Sequence, residues 1–374
     1  MNVSVIAGNY YNSNDGIGRY TSNLINELKL LDKNINLEII SQNSTVFSNK
    51  EKKKLNTSFI PSNIKSIIKP LEMEVRYFSR FKNNNQLLTC LLKDSNSHIY
   101  HAVSPSEAIA PIKLNKRPLI TTFHDVIPLV SKPRFLLEKV YFNYYVNSAK
   151  KSDIILADSI NTKRDLTTIL NIPADKIVVV YPGIDTSKFY NIPKKKFTVK
   201  TILYQGGLVK RKGVYETLYA FDKLLTIRRD VRLLIGGGGE EEINLIKEVN
   251  RLKIGDYVTF LGFIDENKMV DTYNMADLFV YPSKYEGFGY TPLEAMACGV
   301  PVITSNSSSI PEVVGDAAVI VNPNDINELC LKMNMILDDF KLQIRMRDKG
   351  IIQARKFNKE RTAKEILEIY KSLT

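Results

Sequence analysis

Two glutamates, Glu286 and Glu294, stand eight residues apart in the run Tyr281-Pro-Ser-Lys-Tyr-Glu-Gly-Phe-Gly-Tyr-Thr-Pro-Leu-Glu-Ala-Met-Ala-Cys-Gly-Val-Pro. Glu286 follows an apolar, strand-like stretch and precedes Gly287 and Gly289. Glycine there lets backbone N–H groups approach a ligand closely. Phe288 and Tyr290 complete the loop. Thr291 suits an N-cap and Pro292 the first turn of a helix, which places Glu294 in that turn. A helix N-terminus offers unpaired N–H groups and the positive end of a dipole, both suited to phosphate. A solvated Glu286 and a dipole-facing Glu294 would account for either carboxylate alone, but not for the whole string of glycines and acids.

A second cluster is Gly206-Gly-Leu-Val-Lys-Arg-Lys-Gly213. Gly206 and Gly207 open the loop. Arg211 then offers a planar fork for phosphate oxygens and Lys212 a mobile point charge. The spacing is not that of a Walker loop. Gly236–Gly239 reads equally as a nucleotide-lining loop and as a plain strand-to-helix turn. Near the start, Gly16 and Gly18 precede a helix, without the third glycine of the dinucleotide fingerprint, which counts against a redox cofactor. His124-Asp125 ends an apolar strand. An imidazole there points to a ligand crevice; the alternative is a surface histidine at a turn. Cys90, Cys298 and Cys330 form no close pair, so no metal site is expected and the thiols read as reduced.

These residues need a frame, and apolar periodicity supplies it. Val3–Ala7, Leu37–Ile40, Ile99–Ala102, Leu119–Phe123, Ile154–Ala157 and Ile177–Tyr181 read as buried strands. The intervening segments, Arg19–Leu31 and Asn161–Leu170 among them, carry helical spacing. Pro182–Pro193 interrupts the pattern. It restarts with strands at Thr201–Gln205, Val231–Ile235, Tyr257–Phe260, Leu278–Tyr281 and Val302–Ser305, and with helices at Tyr215–Leu225, Glu240–Leu252, Lys268–Met275 and Leu293–Cys298. Such alternation predicts α/β architecture: two doubly wound parallel sheets with a ligand at the strand carboxyl ends, in a cleft between them. The expected domains are 1–185 and 186–355, with a helix over 356–374 packing back toward the first.

The 374 residues suffice for two domains with real cores, and a 44% hydrophobic, 25% charged composition excludes wholesale disorder. No apolar run approaches the roughly 20 residues of a membrane span. The opening residues lack a basic leader, so a cytoplasmic location is expected. Lysine and arginine outnumber acids by 52 to 40, and Lys50–Lys93 holds ten of the cations against three acids. Interspersed Ile67, Ile68, Leu71, Met73, Tyr77 and Phe78 suggest a peripheral face on an anionic membrane surface. Counterion release makes nucleic acid the rival partner, and a solvated loop is the plain alternative. Aromatic platforms are not clearly interleaved with the cations, so nucleic acid is disfavoured.

Glu286 and Glu294 resemble the E-x7-E signature of the retaining glycosyltransferases of family 4, whose fold is GT-B: two Rossmann-like domains facing a cleft. Gly206–Gly213 resembles the family's glycine-to-Arg-Lys phosphate loop. Val179-Val-Tyr-Pro-Gly-Ile-Asp185 resembles the segment opening the second domain, and Phe260-Leu-Gly-Phe-Ile264 the turn beside the nucleotide base, which puts Phe263 there. The similarity runs from the N-terminal glycine loop to the last helix and is most specific between Gly206 and Glu312. Thr122-Phe-His-Asp-Val-Ile-Pro-Leu129 further resembles members that build surface polysaccharides, many using mannose.

The resemblance implies transfer of a sugar from a nucleotide diphosphate-sugar to a glycan or lipid-linked hydroxyl, with retention at the anomeric carbon. Glu286 would hold donor-sugar hydroxyls and Glu294 the ribose. Arg211 and Lys212 would stabilise the departing diphosphate. Gly16 and Gly18 would face the diphosphate and acceptor, and His124, with Asp125 beside it, the donor sugar. No Asp-x-Asp motif is present, so no metal and no cofactor beyond the donor is expected. A nucleotide-sugar epimerase of the same fold, which needs no acceptor, is the alternative enzyme.

Overall fold

The computed structural model describes residues 1–11, 13, 15–41, 82–131, 137–193 and 198–374. The expected membrane-facing segment therefore lies mostly outside the described residues, with Ile67 to Phe78 wholly so. The chain forms two compact units. One comprises Met1–Asp158, Thr162–Val180 and Thr362–Thr374, and the other Ser159–Asn161 and Tyr181–Arg361.

The first unit carries strands β1 (Asn2–Gly8), β2 (Asn36–Ser41), β3 (Ile99–Ala102), β4 (Leu119–Phe123), β5 (Ile154–Ala157) and β6 (Ile177–Val179). They pair in parallel in the order β2-β1-β3-β4-β5-β6. Every residue of β3 and β4 is buried, as a sheet covered on both faces requires. The helix Gly16–Leu31 buries Tyr20, Leu24, Ile25 and Leu28. Ala363, Ile366, Leu367 and Tyr370 of the last helix join these residues in one core. A buried polar chain crosses that core. Tyr370 Oη lies 2.6 Å from His101 Nδ1, Thr122 Oγ1 lies 2.8 Å from His101 Nε2, and Tyr20 Oη lies 3.1 Å from Thr122. Burial pushes the His101 pKa down to about 3, so this ring is neutral.

The second unit carries β7 (Lys200–Gln205), β8 (Val231–Gly236), β9 (Val258–Gly262), β10 (Leu278–Tyr281), β11 (Val302–Ser305) and β12 (Val319–Val321). Their order, β12-β11-β10-β7-β8-β9, is doubly wound and all parallel. It reverses between β7 and β10, the place where such sheets leave a ligand crevice beyond their carboxyl ends. The loops leaving these two strands are those of Arg211 and Glu286.

The units part at Val180 and Tyr181, ahead of the break expected at 185. Tyr181 donates to Glu312 at 2.8 Å, and the Ile184 amide donates to the Phe357 carbonyl at 2.9 Å, so the Pro182-Gly183 turn already belongs to the second unit. Glu312 also takes the amides of Ile160 and Asn161, at 2.9 and 3.0 Å.

Candidate active site

The loops after β7 and β10 lock together through their backbones. The Lys284 amide donates to the Arg211 carbonyl at 2.8 Å, and the Arg211 guanidinium donates to the Tyr285 carbonyl. Gly213 closes the first loop at φ 75°, and a Cβ there would sit 2.2 Å from the Pro282 carbonyl oxygen. Only glycine fits both the conformation and the approach.

This frame brings the expected charges to one point. Arg211 Nη1 and Lys212 Nζ lie 3.5 and 3.6 Å from Glu286 Oε1. The same oxygen accepts from Tyr281 Oη and Ser283 Oγ, each at 2.8 Å. Burial opposes the charge on Glu286. Lys212, Arg211 and the two hydroxyls outweigh that effect and hold the carboxyl below its ordinary pKa. Lys212 also lies over the Tyr281 ring, 5.7 Å from its centroid. Arg211 and Lys212 keep 19% and 23% of their side chains exposed, enough to meet an anion.

The carbonyls of the glutamate loop are held as well. Ser309 Oγ lies 2.9 and 2.6 Å from those of Glu286 and Phe288, which share its one hydroxyl proton, and Ser159 Oγ donates to that of Gly287 at 2.8 Å. The Glu286 amide donates to Ser308 Oγ at 2.8 Å. Phe288 packs near Tyr181, Tyr290 and Phe357. None of these serines stands out in the sequence. Ser308 and Ser309 follow β11, and only the sheet order, which sets β11 beside β10, shows their role.

The helix here differs from expectation. It spans Tyr290–Ala297, with Gly289 at the N-cap at φ 123° and no side-chain cap. Thr291 is therefore inside the helix and not its cap. Glu294 falls in the second turn, is 3% exposed, and accepts from Tyr273 Oη at 2.8 Å. The positive φ of Gly289 lets the chain enter the helix without a capping hydroxyl.

Gly236–Gly239 ties the strand ends together. Gly206 N–H reaches the Gly236 carbonyl at 3.1 Å, Gly237 N–H the Gly262 carbonyl at 2.8 Å, and Leu208 N–H the Gly238 carbonyl at 3.0 Å. The Gly207 carbonyl accepts from Tyr204 Oη at 3.1 Å. Just past β9, Phe263 stands 71% exposed, an aromatic face open to a partner.

In the first unit, Gly16 begins its helix, and the Gly18 amide donates to the Asp15 carboxylate at 2.7 Å. That bond caps the helix that Gly16 begins. His124 follows β4, with Nδ1 2.7 Å from Asp158 Oδ2 and Nε2 2.8 Å from the Val103 carbonyl. Asp125 takes the Ile127 amide at 2.8 Å and so starts the next short helix.

Residues 185–356 match the family model described as glycosyl transferases group 1, and residues 14–188 that described as Glycosyltransferase Family 4. O-antigen chain mannosyltransferase B of Escherichia coli is 30% identical over 299 residues, 75% of this chain and 76% of that protein. The chain belongs to glycosyltransferase family 4. Serotype-specific mannosyltransferase WbdA of Escherichia coli is 28% identical over 258 residues, which are 64% of this glycosyltransferase and 32% of that longer protein. The crystal structure of Anabaena Alr3699/HepE in complex with UDP-glucose shares the fold, with a TM-score of 0.75 over 100% of both chains at 16% identity. Among the described residues of this glycosyltransferase, no helix is long and apolar enough to cross a membrane, and no three His, Cys, Asp or Glu side chains gather to hold a metal.

Proposed function

We propose that this glycosyltransferase moves a hexosyl group, mannosyl in the first instance, from a nucleoside diphosphate-sugar to a hydroxyl of a glycan or lipid-linked acceptor, with retention and without a metal. The observation that carries the reading is the convergence of Arg211 and Lys212 on Glu286 at the β7/β10 switch point. Two cations there offset the negative charge already on the diphosphate and the one that grows as it departs, the work a metal does elsewhere. Glu286, held ionised by Lys212 and Arg211, accepts hydrogen bonds from donor-sugar hydroxyls. Glu294, fixed by Tyr273, serves the ribose. The mannosyl assignment is supported by the O-antigen mannosyltransferase relative. As the acceptor oxygen bonds to the anomeric carbon, the bond from that carbon to the diphosphate breaks and the acceptor proton passes to the diphosphate, all on one face of the sugar.

The test is thermal denaturation against GDP-, UDP-, ADP- and dTDP-sugars in the presence of a chelator, followed by product NMR with the donor that binds. A donor at 100 times its dissociation constant should stabilise the protein by about 2.7 kcal/mol. Arg211→Ala should abolish the shift, and the product should carry the donor's anomeric configuration. Stabilisation that requires a divalent cation, or an inverted product, would refute the mechanism. Sugar conversion without an acceptor would favour the epimerase.

A further inference from the structure

His124 sits between a carbonyl oxygen and a carboxyl oxygen, both of which accept while Asp158 is ionised. The Val103 carbonyl faces Nε2 at 2.8 Å, and the Asp158 carboxylate faces Nδ1 at 2.7 Å. A neutral imidazole has one N–H and one lone pair, so it then satisfies only one of them. Both bonds form with the shared proton on either partner, as a doubly protonated ring beside an ionised Asp158 or as a neutral ring accepting from the protonated carboxyl; imidazole is the stronger base of the two, which places the proton on the ring. Asp158 is 3% exposed, and its Oδ1 is buried without a hydrogen-bond partner among the described residues. The imidazolium is thus the group that compensates its charge, and a buried carboxylate without such a partner is strongly unfavourable.

We propose that Asp158 is a positioning residue of the transfer reaction, which locks His124 in its doubly protonated form and so installs a fixed positive charge at the carboxyl end of β4. The sheet prepares the contact, because Phe123 and Ala157 are register partners and the next residues are His124 and Asp158. Tyr20 closes the ring from the first helix, edge-on at 5.0 Å. The titratable groups around the ring are Asp158, Asp125, Tyr20 and the neutral His101. Burial pulls the His124 pKa down, and Asp158, the Val103 carbonyl and Asp125 more than reverse that, for a net rise. The inference rests on the donor-site reading above, in which His124 serves the donor sugar.

Asp158→Asn separates charge from shape. The amide can donate to Nδ1, which leaves a neutral ring with its proton toward Val103 in the same place. Histidine is limited to positions 98, 101 and 124, so ring protonation can be followed by nitrogen NMR on histidine-labelled protein, each signal assigned by single substitution. In the wild type the His124 signal should stay that of an imidazolium well above the ordinary histidine pKa, and in Asp158→Asn it should become neutral. Turnover should fall by roughly 10²-fold, the loss typical when one stabilising charge or donor leaves an active site, with the donor KM nearly unchanged. The alkaline fall of the wild-type rate profile should move to lower pH, and Asp158→Glu should restore part of the rate. A neutral His124 at pH 7.5 in the wild type overturns the inference, whether or not any variant folds. So does a neutral ring in Asp158→Asn with unchanged turnover. If Glu286→Gln also leaves turnover intact, the donor-site reading itself has failed, whereas a loss confined to Glu286→Gln overturns the role of Asp158 alone.

Discussion

Glu286→Gln asks whether the carboxylate acts on the sugar or merely props the loop. Glutamine keeps an oxygen for Tyr281 and Ser283, so the hydrogen-bonded shape survives. What leaves is a negative charge 3.5 and 3.6 Å from Arg211 and Lys212. Each such pair has a Coulomb energy of about 1 kcal/mol in water and about 5 kcal/mol at an effective dielectric constant of 20. Released from Glu286, both cations meet an incoming diphosphate at full strength. Loss of repulsion between that carboxylate and a phosphate charge about 6 Å away is worth about 0.7 kcal/mol in water, a threefold gain in affinity. The transition state, in contrast, loses charged hydrogen bonds to sugar hydroxyls, each worth about 1.5–3 kcal/mol. Turnover should therefore drop by roughly 10²-fold while nucleoside diphosphate binds as well as before or slightly better. Calorimetric titration with the free diphosphate and a coupled assay of its release measure the two quantities. Turnover within threefold of wild type would refute the catalytic role. A tenfold loss of diphosphate affinity would show instead that the carboxylate maintains the Arg211 loop.

The same carboxyl should mark the acid limb of stability. Its pKa is held below the ordinary 4.5, so its contribution is complete above that pH and is lost as pH falls from there through the folded-state value. Urea melts below pH 4.5 should show a shallower loss for Glu286→Gln than for wild type. Gly213→Ala places a Cβ against the Pro282 carbonyl at a φ of 75°, and should cost about 2 kcal/mol or more and lower the melting temperature by roughly 4–8 °C, with weakened nucleotide binding. An unchanged melt would refute the close approach. Truncation after Arg361 removes Ala363, Ile366, Leu367 and Tyr370 from the first core. At about 2–5 kcal/mol per large buried side chain the loss rivals the whole stability of a domain, so calorimetry should show the first unit's transition gone. Two intact transitions would show that the helix is dispensable.

The frame was legible in sequence wherever both faces of a strand are buried. β3, β4, β5, β10 and β11 have the ends that their apolar runs predict, because a strand covered on both faces is mostly apolar and takes a polar residue only where, as with His101 and Thr122, it finds a buried partner. β12, three residues with two of them only partly buried, was not anticipated. Arg211, Lys212 and Glu286 were legible because charge beside glycine is costly to explain otherwise. Asp158 was not, since its meaning comes from a neighbour across the sheet, at His124. The helix start was misplaced because a threonine and a proline mimic a cap, while the turn is made by the positive φ of Gly289. Asp15 capping Gly18 was likewise invisible, because one carboxylate before two glycines suits either a cap or a ligand loop.

The last helix completes a core whose other members are made first. Thr362–Thr374 belongs to the unit that begins at Met1, and all of Tyr181–Arg361 is synthesised between them. On a ribosome adding about 5–20 residues per second, the second unit has its full sequence before the first receives Ile366, Leu367 and Tyr370. Until then the partner positions around Tyr20, Leu24 and His101 stay open, with apolar surface and a buried histidine exposed to whatever else is in reach. The nascent N-terminal unit is thus a natural client for chaperones, and the other unit is the first to finish although it comes second in the chain.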